Sequence, residues 1–124
     1  MMGKCVFINL SNHPSSEWGS GQTEDARKYG DIVDIPFPKI PADITDPQLN
    51  ALVEQYFEKV MQYENPAVML QGEFVFVFRL VTRLKREGIR VFSGSTERKA
   101  TEERLADGSI RKESVFEYCG LREY

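Results

Sequence analysis

His13 is the only histidine of the chain, and it stands in Ser11-Asn12-His13-Pro14-Ser15-Ser16, a small polar run directly after the apolar Val6-Phe7-Ile8-Asn9-Leu10. An imidazole titrates near neutrality, so His13 can act as a general acid or base or donate to a phosphate oxygen. Before a proline in a loop it can equally be a solvated residue. Ser11 and Asn12 carry groups that hydrogen-bond a ribose or phosphate, and they are also residue types that turns prefer. Ligand contact is expected for Ser11 and Asn12, and a helix-capping role for Ser16.

A second group, Gln71-Gly72-Glu73, follows the apolar Ala67-Val68-Met69-Leu70. Gly72 admits a close backbone approach at a helix start, where free N–H groups favour an anion. Glu73 is read either as a contact to a base or ribose hydroxyl or as a first-turn acid facing the helix dipole. Arg98 and Lys99 follow a further apolar run and can neutralise phosphates, although Lys99 reads better as solvated surface. Trp18 is expected to pack in the core rather than stack on a base. The candidate ligand set is thus Ser11, Asn12, His13, Gln71, Gly72, Glu73 and Arg98, with His13 the one catalytic candidate.

These residues need elements to hold them. Cys5 to Leu10 reads as a strand buried on both faces. A short helix follows, with Trp18, Gln22, Ala26 and Tyr29 at helical spacing before Gly30, its first turn weakened by Gly19 and Gly21. Asp31 to Pro38 is a second strand stopped by prolines at an edge. Thr45 or Asp46 caps a long helix striped by Leu49, Leu52, Val53, Tyr56, Phe57 and Val60, with Pro47 in its first turn. Ala67 to Gln71 is a third strand. Phe74 to Leu84, ending in Lys85-Arg86-Glu87-Gly88, is assigned to helix by its length. Gly88 to Ser93 is a fourth strand running into polar Gly94 to Arg104, Asp107-Gly108 marks a turn, and Ser114 to Cys119 alternates as a last strand paired antiparallel.

The order implies one Rossmann-like three-layer α/β domain over residues 1–124, with a mostly parallel sheet in the order 2-1-3-4-5 and a C-terminal antiparallel hairpin. That topology sets the loops after strands one and three side by side. In the third helix, Phe74, Val77, Phe78, Val81 and Leu84 read as the core stripe, which leaves Phe76 and Leu80 for a homodimer interface.

Composition narrows the chemistry. Sixteen Lys and Arg against nineteen Asp and Glu give a net charge of −3, which argues against unspecific binding to duplex nucleic acid. The chain has no glycine-rich dinucleotide fingerprint, no phosphate-binding P-loop and no metal-ligand spacing, so a metal-independent chemistry without a resident cofactor is expected. Cys5 and Cys119 read as buried thiols rather than a disulfide. No segment approaches the roughly 20 apolar residues of a membrane span, and a cytoplasmic location is expected.

FINLSNHPSSEW, then Gln22 and Ala26, then YGDIVDIPFP, VMLQGEF and the ending GLREY together cover much of the chain. In these segments the sequence resembles the small Rossmann-like CRISPR-associated accessory proteins of type III systems, several of which handle cyclic oligoadenylate messengers. The resemblance implies a homodimer that binds a cyclic oligoadenylate, most often the tetra-adenylate, across its two-fold axis. It leaves two outcomes open. A ring nuclease aligns a ribose 2′-OH for in-line attack on the adjacent phosphorus, giving a 2′,3′-cyclic phosphate without a metal, whereas a sponge sequesters the intact ring. A small mononucleotide-binding or other small-molecule protein of the same fold, unrelated to CRISPR signalling, is the alternative.

Overall fold

The computed structural model describes residues 4–124. The elements run β1 (Val6–Leu10), a 3-10 turn (Ser15–Glu17), α1 (Ser20–Arg27), β2 (Asp31–Asp34), α2 (Asp46–Met61), β3 (Pro66–Leu70), α3 (Phe74–Arg86), β4 (Arg90–Arg104) and β5 (Ile110–Glu123). They form a single five-stranded sheet in the order β2-β1-β3-β4-β5. Its first four strands are parallel, and β5 returns antiparallel along β4. This is the order and hairpin expected from the sequence.

The central strands β1 and β3 are apolar apart from Asn9 because both their faces are covered. Ile8, Leu10, Val68, Leu70 and Val91 point toward α2 and α3, where Val53, Tyr56, Phe57, Val60 and the buried residues of α3 complete the larger core. Phe7, Ala67, Met69 and Phe92 face the other way and meet Ala26 of α1, Trp18 and Tyr29. α2 starts on a capping box in which Thr45 and Gln48 exchange side-chain and backbone hydrogen bonds, with Pro47 in its first turn. The expected single first helix is instead two pieces. The chain at Gly19 is extended before α1 begins, and neither α1 nor the 3-10 turn carries a side-chain cap, so Ser16 has no capping role.

Three further expectations need correction. The apolar stripe of α3 is rotated: Phe76 and Leu80 are fully buried in the core, while Phe74 and Phe78 are 89% and 72% exposed. Phe76 packs edge-on against both Phe37 and Tyr56, so Phe76 and Leu80 are core residues and not a dimer contact. Cys5 and Cys119 are exposed, not buried, because Cys5 precedes the covered part of β1 and Cys119 is the unpaired residue of a bulge between Tyr118 and Gly120. Both hairpin strands outrun their expected limits. From Thr96 through the Asp107-Gly108 turn to Glu117 they form a two-stranded ribbon exposed on both faces.

Ser109 closes that turn by donating from its N–H and hydroxyl to Asp107, which holds the carboxyl below its ordinary range. No helix among the described residues is long and apolar enough to cross a membrane.

Candidate binding crevice

β1 holds one polar residue, Asn9, next to its last position, and its surroundings must satisfy it. Asn9 is 2% exposed, and its amide donates to the His13 carbonyl at 2.7 Å and to Asp34 Oδ1 at 3.1 Å. Its Oδ1 accepts from Ser11 Oγ at 2.7 Å, and Ser11 Oγ in turn accepts from the His13 N–H at 3.3 Å. Asp34, at the end of β2, accepts from both the N–H and the hydroxyl of Ser15 through Oδ2. Four side chains thereby pin the loop after β1 to the end of the neighbouring strand, and they set the position of His13.

That loop forms one wall of a crevice of about 700 Å³ at the C-terminal ends of β1 and β3 and beside Gly94 and Thr96 of β4, where its parallel pairing has ended, on the α1 side of the sheet. Its floor is Met69 and Gly94, and His13, Trp18, Gln22 and Gln71 rise around it. The ribbon supplies the far wall through Thr96, Phe116 and Tyr118. Trp18 does what was expected and more, meeting Phe7 edge-on at 6.4 Å while its remaining surface lines the crevice. Tyr118 is fixed by donating its hydroxyl to Asp25 Oδ2 at 2.8 Å. Burial, and then the Asp25 carboxylate, push the Tyr118 hydroxyl above its ordinary range. The same hydrogen bond, with Lys28 alongside, holds Asp25 below the ordinary carboxylate value of 3.8.

The structure divides the expected ligand set. His13 and Gln71 line this crevice, and Ser11 lines it too, but with its hydroxyl engaged inside the loop and only 7% of the residue exposed. Asn12 faces a separate hollow with Pro14, Asp34 and Phe37, since the tight loop turns its successive side chains to opposite sides of β1. Gln71 accepts from the Gly94 N–H at 3.1 Å and donates to the Gly94 carbonyl, extending the β3–β4 contact past its last backbone pair, Met69 with Phe92.

Gly72 and Glu73 are not ligand residues in this geometry. A Cβ on Gly72 would stand 2.2 Å from the Phe37 ring, so this glycine admits an aromatic side chain of the fold rather than a ligand. Gly72→Val is therefore expected to cost about 1–3 kcal/mol through overpacking. Urea titration checks this, and pairing it with Phe37→Ala should yield less than the sum of the two losses. Glu73 caps α3, its carboxylate accepting from Val75 N at 3.1 Å and Phe76 N at 2.8 Å. The helix N-terminus is thus already occupied by an anion of the chain itself.

Arg98 does not line the crevice but stands next to it. It is paired in the ladder with Phe116, on the same face of the ribbon as Thr96 and Tyr118, and its guanidinium donates to Ser114 Oγ. Lys99 points to the other face and pairs with Glu117, as expected of a solvated lysine. Sequence reasoning missed Asn9 and Asp34, although a polar residue inside an apolar strand is a legible sign of buried partners. It also missed Phe116 and Tyr118, which reach the site only through the length of the hairpin.

No curated protein and no solved structure matches the chain. The family model described as "Uncharacterized protein MJ1673 family" matches residues 5–122, and the chain belongs to that family.

Proposed function

We propose that the chain binds a cyclic oligoadenylate and lowers its free concentration. The observation that carries this reading is the crevice itself. It lies at the carboxyl ends of the parallel strands, where open α/β sheets hold nucleotides, and it combines aromatic faces on Trp18, Phe116 and Tyr118 with polar contacts from His13, Gln22 and Gln71. Aromatic faces stack on bases of any sequence. The lining carries two carboxylates, Glu17 and Glu117, and no lysine or arginine; Arg98, opposite Phe116 on the same ribbon face, is the cation assigned to a phosphate, and His13 is a contact residue. The resemblance in the β1 loop and in VMLQGEF supports an adenylate ring over other nucleotides.

Stoichiometry separates this reading from its rival. About 700 Å³ lies within the range of a small-molecule pocket and suits one or two nucleotides. The ring reading has two copies share one ligand across a two-fold axis. The mononucleotide reading requires one ligand per chain.

Calorimetric titration with cyclic tetra-adenylate and with AMP decides between them. We expect one ring per two chains, AMP binding at least about tenfold weaker, and a five- to tenfold loss of ring affinity in His13→Ala or Arg98→Ala, on the order of one charge-assisted hydrogen bond. Glu58→Ala, on the distant helix α2, should bind as the wild type does. Equal affinities for ring and AMP at one ligand per chain would favour the mononucleotide reading. Resolving the recovered ligand after incubation distinguishes sequestration, which returns the intact ring, from cleavage.

A further inference from the structure

The two edges of the sheet are built differently. β2 is four residues long and is followed by Pro36 and Pro38, which cannot extend a ladder. β5 runs 14 residues without a proline, and as the last strand it has no partner on its outer side among the described residues. The ribbon it forms with β4 also exposes Ile110, Val115 and Phe116, at 54%, 56% and 70%. A two-stranded ribbon with both faces in water is marginal by itself, and a long open edge templates another strand.

We propose that β5 pairs antiparallel with β5 of a second copy about a two-fold axis at Ser114, joining the two sheets into one. The straight part of β5 dictates the register. Cys119 is a bulge, unpaired between Tyr118, which faces Thr96, and Gly120, which faces Ser95. The segment from Ile110 to Tyr118 is therefore the regular part of the edge, and Ser114 is its midpoint. Centred there, Arg111 meets Glu117 of the partner subunit, Ile110 meets the partner's Tyr118, and Lys112 meets the partner's Phe116, each twice by symmetry. No like charges oppose each other.

The adjacent registers that keep each side chain on its own face are poorer. Centring on Val115 sets Glu113 against the partner's Glu117 twice, which is unfavourable for directly opposed strand residues. Centring on Glu113 leaves Arg111 against the partner's Val115 and Glu117 against the partner's Ser109. Of these three registers, the one centred on Ser114 is the one that sets opposite charges against each other.

This pairing also bears on the crevice, a consequence that rests on the nucleotide reading above, whereas the dimer does not. Phe116 lines the crevice, so Lys112 of the partner subunit arrives at its rim. Each site would then gain a cation that no residue of its own lining supplies.

Sedimentation equilibrium of the ligand-free full chain tests the pairing independently of any nucleotide. The wild type is expected at twice 14.2 kDa. Glu117→Arg, which opposes two arginines at each end of the pairing, and Arg111→Glu, which opposes two glutamates, should each weaken the dimer at least about tenfold. The double variant Arg111→Glu/Glu117→Arg should regain it. All four positions of the exchange are exposed, so thermal unfolding monitored alongside should stay close to the wild type once dimer loss is allowed for. A wild type that stays at 14.2 kDa into the millimolar range, a Glu117→Arg protein that remains dimeric, or a double variant that stays monomeric would each overturn the pairing. Dimer formation without ring binding would overturn only the nucleotide reading.

Discussion

Leu80→Glu is expected to leave no folded protein at 25 °C rather than a soluble monomer, and Phe76→Glu the same. Both side chains are fully buried between α2, α3 and the sheet. Removing either large apolar side chain costs about 2–5 kcal/mol in lost burial and cavity. Keeping a carboxyl in the same place adds a desolvation cost, whether it stays charged or takes up a proton. The sum reaches the roughly 5–15 kcal/mol that holds a domain of this kind together. Phe74→Glu and Phe78→Glu on the same helix are the controls, since both side chains are exposed and should leave the far-ultraviolet circular dichroism and unfolding midpoint within about 0.5 kcal/mol of wild type. A folded Leu80→Glu protein would mean that α3 does not sit on the sheet in this rotation.

The strand order was legible because it follows from constraints that act on the chain locally. Continuous apolar runs at β1 and β3 require cover on both faces, the Thr45 capping box and Pro47 fix where α2 starts, and right-handed crossovers then leave few topologies. The rotation of α3 was less legible for a physical reason. Phe74 through Phe78 is apolar at every position, so periodicity alone does not say which side of the first turn faces inward. Glu73 decides it, because capping Val75 and Phe76 from the helix start fixes where α3 begins and turns Phe76, Val77, Leu80, Val81 and Leu84 onto the sheet.

The candidate site was legible only in part. The structure brings Ser11, His13 and Gln71 to one crevice, a juxtaposition that follows from strand order at a switch point in a parallel sheet, while Asn12 faces another hollow. Gly72 and Glu73 illustrate the opposite case, in which residue types suited to a phosphate site turn out to serve the fold, one admitting Phe37 and one capping α3. Tyr118 lies 93 residues from its partner Asp25 on α1 along the chain, and nothing local to it or to Phe116 marks their destination. Their arrival depends on the ribbon and on Tyr118 finding Asp25.

Asn9→Leu should carry the second-largest effect, about 3 kcal/mol of stability, together with loss of the organised loop. Asn9 and Ser11 are the buried polar residues of the described chain. Removing the Asn9 amide takes away two donors and an acceptor at once, leaving the His13 carbonyl with only the Ser11 hydroxyl at 3.2 Å and Asp34 Oδ1 without its amide donor. Hydrogen bonds of this kind, one of them to a carboxylate, are worth about 0.5–3 kcal/mol each, and the apolar side chain does not offset their loss at a position already filled. Urea titration gives the stability, and amide hydrogen exchange at His13 and Ser15 should rise well beyond the global change, because these two N–H groups are held by the Asn9–Ser11–Asp34 network.

Asn9→Asp sharpens the test, since it keeps the shape but replaces the donor with a carboxylate facing Asp34, whose Oδ1 the native amide meets at 3.1 Å. Each charge raises the other's pKa in the folded state. A raised folded pKa means that the folded protein binds protons more tightly than the unfolded chain does. The deficit of Asn9→Asp relative to wild type should therefore be largest at neutral pH and shrink as pH falls through the carboxylate range. If Asn9→Leu unfolds at the wild-type urea midpoint, or if the Asn9→Asp deficit is flat with pH, the loop is not held by this network and His13 is free of the position that the crevice gives it.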